Sequence, residues 1–213
     1  MTKQSALSEH DAKVLLASHG VPVSREAVVG TVEDAVLAAR EVGYPVVLKL
    51  SGAHILHKTE IGGVRVGLLD DQALQVAASQ LLEQGPNGAR LLVAEHVLGN
   101  RELIAGVTTD QQFGRVLMLG LGGIFAELLG DVVFRLLPAT ESELRLMLDD
   151  LAHPHFLGEF RGEPPVDREA LLGALQGLAA CAETRPDVES IDINPFIVSN
   201  GSPVAVDALV VLR

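Results

Sequence analysis

The sequence predicts an α+β chain with mixed or antiparallel sheets in two lobes. Three observations predict it. Helices and strands alternate through the first part of the chain, hairpins take over in the middle, and two helices with a closing hairpin end it. The composition agrees: of 213 residues, 48% are hydrophobic, mostly Ala, Val and Leu, and only 3% are aromatic. Such a mix suits helices packed on strands. We expect an N-terminal helix within residues 1–20, one lobe over 21–94 and a second over 95–213, with the boundary near Glu95.

Each element has a local signal. Ser8 opens the first helix with Asp11 three residues on; Ala12, Leu15, Leu16 and His19 share its inner face, and Gly20 ends it. Val21-Pro22-Val23 is an extended link. Thr31 and Asp34 cap a second helix, with Val32, Ala35, Val36 and Ala39 inward. Gly43 stops it, and Pro45 leads into a strand, Val46 to Leu50. A polar, Gly-bearing segment, Ser51 to Gly63, precedes the strand Val64 to Leu68. The helix Asp71 to Gln84 ends at Gly85-Pro86. Strands Leu91 to His96 and Glu102 to Thr108 flank Leu98-Gly99-Asn100, and Val116 to Leu119 is a further strand. Helices follow at Glu141 to Leu151 and Arg168 to Thr184. The closing hairpin pairs a strand Ser190 to Ile193, stopped by Pro195, with a strand through Val204 to Ala208, and Gly201 turns between them.

Composition bounds the function. A net charge of −12 argues against nonspecific binding of nucleic acid or an anionic membrane. Phosphates would have to be held by local Lys, backbone N–H groups and metal. No apolar run of about 18 residues suggests a membrane span, and Met1 to His10 lack the apolar core of a signal peptide. One cysteine, Cys181, excludes an internal disulfide, and we expect a cytoplasmic protein.

Five groups of residues could carry chemistry. Asp192 and Asn194, across the closing hairpin from Asp207, offer two carboxylates and an amide oxygen. They read either as hard ligands for Mg²⁺ that also holds nucleotide phosphates, or as a solvated hairpin with a turn Asn. Lys49 ends an apolar strand, sharing a face with Val47, and needs an anion or an exit to solvent. His54, His57 and Lys58 precede Gly62-Gly63, whose amides could approach a phosphoryl group; a zinc site at His54 and His57 would need further ligands. Gly120-Leu121-Gly122-Gly123 precedes a short helix with Glu127, a weak anion-site signal. Glu95 and Glu102 end and begin strands at the lobe boundary, where a carboxylate could accept from an adenine amino group or a ribose hydroxyl.

Taken in order, Tyr44-Pro-Val-Val-Leu-Lys49, Ile55-Leu-His-Lys58, Gly62-Gly-Val64, Gly106-Val-Thr-Thr-Asp-Gln-Gln-Phe-Gly114, Gly120-Leu-Gly-Gly-Ile-Phe125, Asp131-Val-Val-Phe-Arg135, Arg161-Gly162 and Asp192-Ile-Asn-Pro195 span nearly the whole chain. The series resembles the ATP-grasp subunit of ADP-forming (NDP-forming) acyl-CoA synthetases, relatives of succinyl-CoA synthetase. The resemblance implies an ATP-grasp fold that clamps ATP or ADP with Mg²⁺ between two lobes. It implies nucleotide contacts at Lys49, Lys58, Glu95, Val97 and Glu102, with Gly122 and Gly123 near the site. It further implies Mg²⁺ ligands at Asn194 and Asp207, Asp192 orienting a phosphohistidine, and His57 relaying the phosphoryl group. The reaction implied is acyl-CoA + ADP + phosphate in equilibrium with acid + CoA + ATP, completed with a CoA-binding and ligase part, either a separate subunit or a domain of a longer fused protein, that carries the principal phosphohistidine. The alternative is a regulatory module like those fused to protein lysine acetyltransferases, which sense a ligand without ligase activity.

Overall fold

The computed structural model describes residues 5–52, 62–123 and 129–213. The chain divides into two compact units, residues 24–96 and residues 1–23 with 97–213. The expected N-terminal helix thus belongs to the larger unit.

In the smaller unit, strands β2 (Glu26–Val29), β3 (Val46–Ser51), β4 (Val64–Leu68) and β5 (Arg90–Glu95) form a sheet in the order β2-β5-β3-β4. Every ladder in it is antiparallel. Helices α2 (Val32–Val42) and α3 (Asp71–Gln84) carry its core, where Ala35, Ala39, Leu74 and Leu81 meet Leu48, Leu50, Leu91 and Val93. Thr31 accepts from Asp34 N, as the sequence predicts, and Asp70 accepts from Ala73 N, satisfying N–H groups the helix leaves unpaired. β2 has no counterpart in the sequence reading. All four of its residues are half-buried, so neither alternation nor an apolar run marks it.

The larger unit holds a seven-stranded sheet in the order β1-β11-β9-β6-β7-β8, with β10 also on β9. Its strands are β1 (Ser5–Ala6), β6 (Arg101–Asp110), β7 (Gly114–Leu121), β8 (Val132–Leu136), β9 (Val188–Ser199), β10 (Ser202–Ala205) and β11 (Ala208–Leu212). Helices α1 (Glu9–Ser18), α4 (Glu141–Asp149) and α5 (Arg168–Thr184) supply Ala12, Leu16, Leu144, Met147, Leu171, Leu175 and Leu178 to the core. Thr140 and Glu143 close a full capping box at α4. Of the two pairings expected, the ladders described are all antiparallel; the one parallel contact is an isolated bridge, Val23 to Ala205. No helix among the described residues is long and apolar enough to cross a membrane.

Two strand expectations are corrected. β9 does not stop at Pro195 but runs on to Ser199. Pro195 is accommodated at a bulge: Leu103 pairs with Phe196 but Ala105 with Ile193, so β9 gains one residue against β6. The strand expected through Val204 to Ala208 is two strands, β10 and β11, interrupted at Val206 and Asp207. Asn200 and Gly201, both at positive φ, make the tight turn between β9 and β10.

Candidate functional site

The closing hairpin brings its acidic residues together. On β9, Ile191 and Ile193 enter the core, so alternation sends Asp192 and Asn194 to the other face, where both are exposed. The opposite strand keeps one register across its break: Ala205 pairs with Phe196 and Ala208 with Ile193. Asp207 therefore stands across from Asn194. Leu209 pairs with Asp192, which makes Asp192 the diagonal neighbour of Asp207. Between core positions, each strand carries two residues that point elsewhere, Asn194 and Pro195 on one and Val206 and Asp207 on the other. Val206 N donates to Pro195 O at 3.2 Å and holds the two irregular segments together.

The electrostatics of this cluster favour a cation. Desolvation by surrounding protein pushes the Asp192 carboxyl up, and the charge of Asp207 pushes it further. A divalent ion between the two would remove that repulsion. Carboxylate and amide oxygens suit Mg²⁺, which keeps several waters and shares itself with phosphates rather than demanding a full protein cage. No group of three His, Cys, Asp or Glu side chains is placed to hold a metal among the described residues. The residues fit Mg²⁺ as a partial site.

Two constellations that read separately in the sequence are one in the fold. Glu102, half-buried on β6, lies under the glycine turn that ends β7. Gly122 N donates to Glu102 O at 2.7 Å, and a Cβ on Gly122 would come within 3.0 Å of Glu102. Gly123 lies at φ +72, a region that favours glycine, with its Cβ position 3.5 Å from the Glu102 Oε2. The glycines let the turn lie directly on the carboxylate. The short helix expected after them, with Glu127, lies outside the described residues.

In the smaller unit, Lys49 lies on β3 on the face away from Leu48 and Leu50 and is 9% exposed. Glu95 is paired within its own unit. Its Oε2 accepts from Arg25 Nε at 3.1 Å and from Arg25 N at 3.4 Å. The Arg25 side-chain hydrogen bond is the main reason its carboxyl sits below the usual range. One carboxylate oxygen is thus committed to protein. Val97 is buried at the start of the larger unit's second segment. His54, His57 and Lys58 lie outside the described residues.

The sequence reading missed Lys13. On α1 it is 1% exposed and paired with Glu9 at 3.0 Å. The signal was the Glu-to-Lys spacing of four within a helix that packs on the sheet.

Comparison with known proteins adds to this geometry. A family described as the ATP-grasp domain matches residues 1–212. The chain is 35% identical over 219 residues to subunit beta of the ADP-forming acetate–CoA ligase II of Pyrococcus furiosus, covering 99% of this chain and 93% of that protein. It is also similar to acetyl-coenzyme A synthetase 1 of Ca. Korarchaeum cryptofilum, solved with coenzyme A, Ca-AMPCP and HgCl+. That likeness has a TM-score of 0.91 and 35% identity, and covers 98% of this chain and 94% of that one. A second structure of the Korarchaeum protein contains coenzyme A and Mg-AMPPCP, with its phosphohistidine segment pointing towards the nucleotide binding site. There the TM-score is 0.86 at 36% identity, covering 98% and 93% of the two chains.

Proposed function

Because this chain belongs to the ATP-grasp family that includes β subunits of ADP-forming acyl-CoA ligases, we propose that it performs the nucleotide half of that ligase reaction. In that half-reaction an oxygen of the ADP β-phosphate attacks the phosphorus of a phosphohistidine. The P–N bond breaks, its electron pair stays on the imidazole, and ATP leaves. Mg²⁺, when bound, offsets phosphate charge while the protein supplies position. The regulatory alternative is not favoured, since the relatives matched over nearly their full length are ligase subunits.

The observation that carries this reading is the hairpin, where Asp192, Asn194 and Asp207 converge on one exposed face and where neighbouring protein and the Asp207 charge push the Asp192 carboxyl up. In our reading Asn194 and Asp207 hold Mg²⁺ with the nucleotide phosphates, and Asp192 orients the phosphohistidine. Lys49 meets nucleotide phosphate and Glu102, fixed by the Gly122-Gly123 turn, takes the ribose hydroxyls. With Glu95 engaged by Arg25, the adenine contact falls mainly to backbone groups up to Val97. His57, with Lys58 beside it, relays the phosphoryl group. The phosphohistidine comes from a partner that binds CoA.

Calorimetry tests the metal assignment. The chain should bind ADP more tightly with Mg²⁺ than without, and Asp207→Asn should lose about tenfold or more of that Mg²⁺-dependent gain. Equal Mg²⁺ dependence in wild type and Asp207→Asn would overturn it. For the relay, His57→Ala in the enzyme reconstituted with its partner should cut turnover by about 100-fold or more while ADP binding survives. His54→Ala should be mild, and equal small effects from both would remove His57 from the mechanism.

A further inference from the structure

We propose that Lys13 is a positioning residue for the metal carboxylate Asp207, acting through the backbone one residue before it. The inference rests on the reading of Asp207 as a Mg²⁺ ligand. Lys13 and Glu9 are buried together on α1, with side chains 1% and 2% exposed and 3.0 Å apart. The Lys13 Nζ also donates to the carbonyl oxygen of Val206 at 3.3 Å. Val206 and Asp207 are the two residues where the strand opposite β9 breaks, between the ladder of β10 with β9 and that of β11 with β9.

Contacts from two sides reach this break. Val206 N reaches Pro195 O on the β9 bulge, and Ala205 N reaches Pro22 O at 2.9 Å in the segment after α1. Lys13 completes the grip from α1 itself. A charged donor to a carbonyl is among the stronger protein hydrogen bonds, and a buried side chain has little freedom to drift. Stability alone gives a weak reason for this arrangement. Burying an ion pair costs desolvation, and replacing it with apolar residues of similar volume is often neutral or stabilising. Holding an irregular turn in one geometry is what the charged pair adds.

The test removes both charges of the pair together, so that neither Glu9 nor Lys13 is left charged without the other. In Glu9→Gln/Lys13→Met the Mg²⁺ concentration giving half-maximal enhancement of ADP binding should rise about tenfold, as when a group that orients a metal ligand is lost. ADP binding in metal-free buffer should change less than about twofold, because the nucleotide contacts themselves are untouched. A role in folding alone would shift the melting temperature and move both binding constants together. An unchanged Mg²⁺ midpoint, or a lowered one, overturns the proposal when Asp207→Asn in the same assay still weakens Mg²⁺ dependence. If Asp207→Asn has no effect, the metal assignment has failed instead. Lys13→Gln keeps a polar partner for Glu9 but shortens the reach to Val206, and it carries the same measurement if the double variant does not fold.

Discussion

Asp131 shows how a single buried carboxylate can organise a junction. Its side chain is 2% exposed, and it accepts from Ala152 N and His153 N at 2.8 Å and from the His153 ring Nδ1 at 2.9 Å. Its own carbonyl takes Leu121 N at 3.0 Å, so the end of β7, the start of β8 and the loop after α4 meet at one residue. Burial is the largest single influence on its carboxyl and opposes the charge. The hydrogen bonds from Ala152 and His153 together outweigh burial and hold the group below the usual carboxylate range. Asp131→Asn can satisfy only one of the two backbone N–H groups and should cost about 1–3 kcal/mol at neutral pH. The sign in acid follows from the depressed native value. The charged form's contribution is complete above the unfolded-state pKa and is lost as pH falls through the lower native one. The stability gap between wild type and Asp131→Asn should therefore narrow below about pH 4, as denaturant titrations at several pH values would show. A gap constant down to pH 2 would mean the interaction is not ionic.

At the scale of elements, helices were legible and strands less so. Ser8, Thr31 and Thr140 cap helices because each offers a side-chain oxygen to an orphan N–H, a local event that sequence records. β2 and β8 were not read from periodicity, since their residues are half-buried or exposed and their pairing is decided by distant partners. Pro195 misled for a similar reason: proline ends a regular ladder, but at a bulge its missing N–H is no loss. Glycine within α5 gives a paired test of element packing. A Cβ on Gly177 would lie 2.6 Å from the His19 carbonyl oxygen, whereas one on Gly173 meets nothing within 4 Å. Gly173→Ala should gain about 0.5–1 kcal/mol from helix propensity. Gly177→Ala should lose about 1–3 kcal/mol because backbone must move. Equal effects in thermal melts would show that the close approach of α5 to the end of α1 imposes no constraint.

For the whole molecule, the order of motifs conveyed more than any one of them. Asp192, Asn194 and Asp207 could be placed together from the hairpin alone, since pairing follows from two strands and a turn. The stacking of Gly122 and Gly123 on Glu102 could not, because those residues meet only once β6 and β7 pair. Nor could the commitment of Glu95 to Arg25, which depends on β2 lying beside β5. The same whole-chain view bears on activity. The ATP-grasp domain family matches residues 1–212, and among the described residues most buried apolar side chains fall into two cores, one in each unit. Making an acyl phosphate requires a CoA thioester held for attack by phosphate, a task that the proposed division of labour gives to the CoA-binding partner. Given acetyl-CoA, ADP, phosphate and Mg²⁺, this chain alone should form no ATP above background, although calorimetry on the same sample registers ADP. A CoA-binding partner phosphorylated on its histidine, then freed of acyl substrate, should yield one ATP per phosphohistidine when mixed with the chain and ADP. ATP formed by the chain without a partner would overturn the division of labour, and a phosphorylated partner that makes no ATP with this chain would overturn the half-reaction assigned to it.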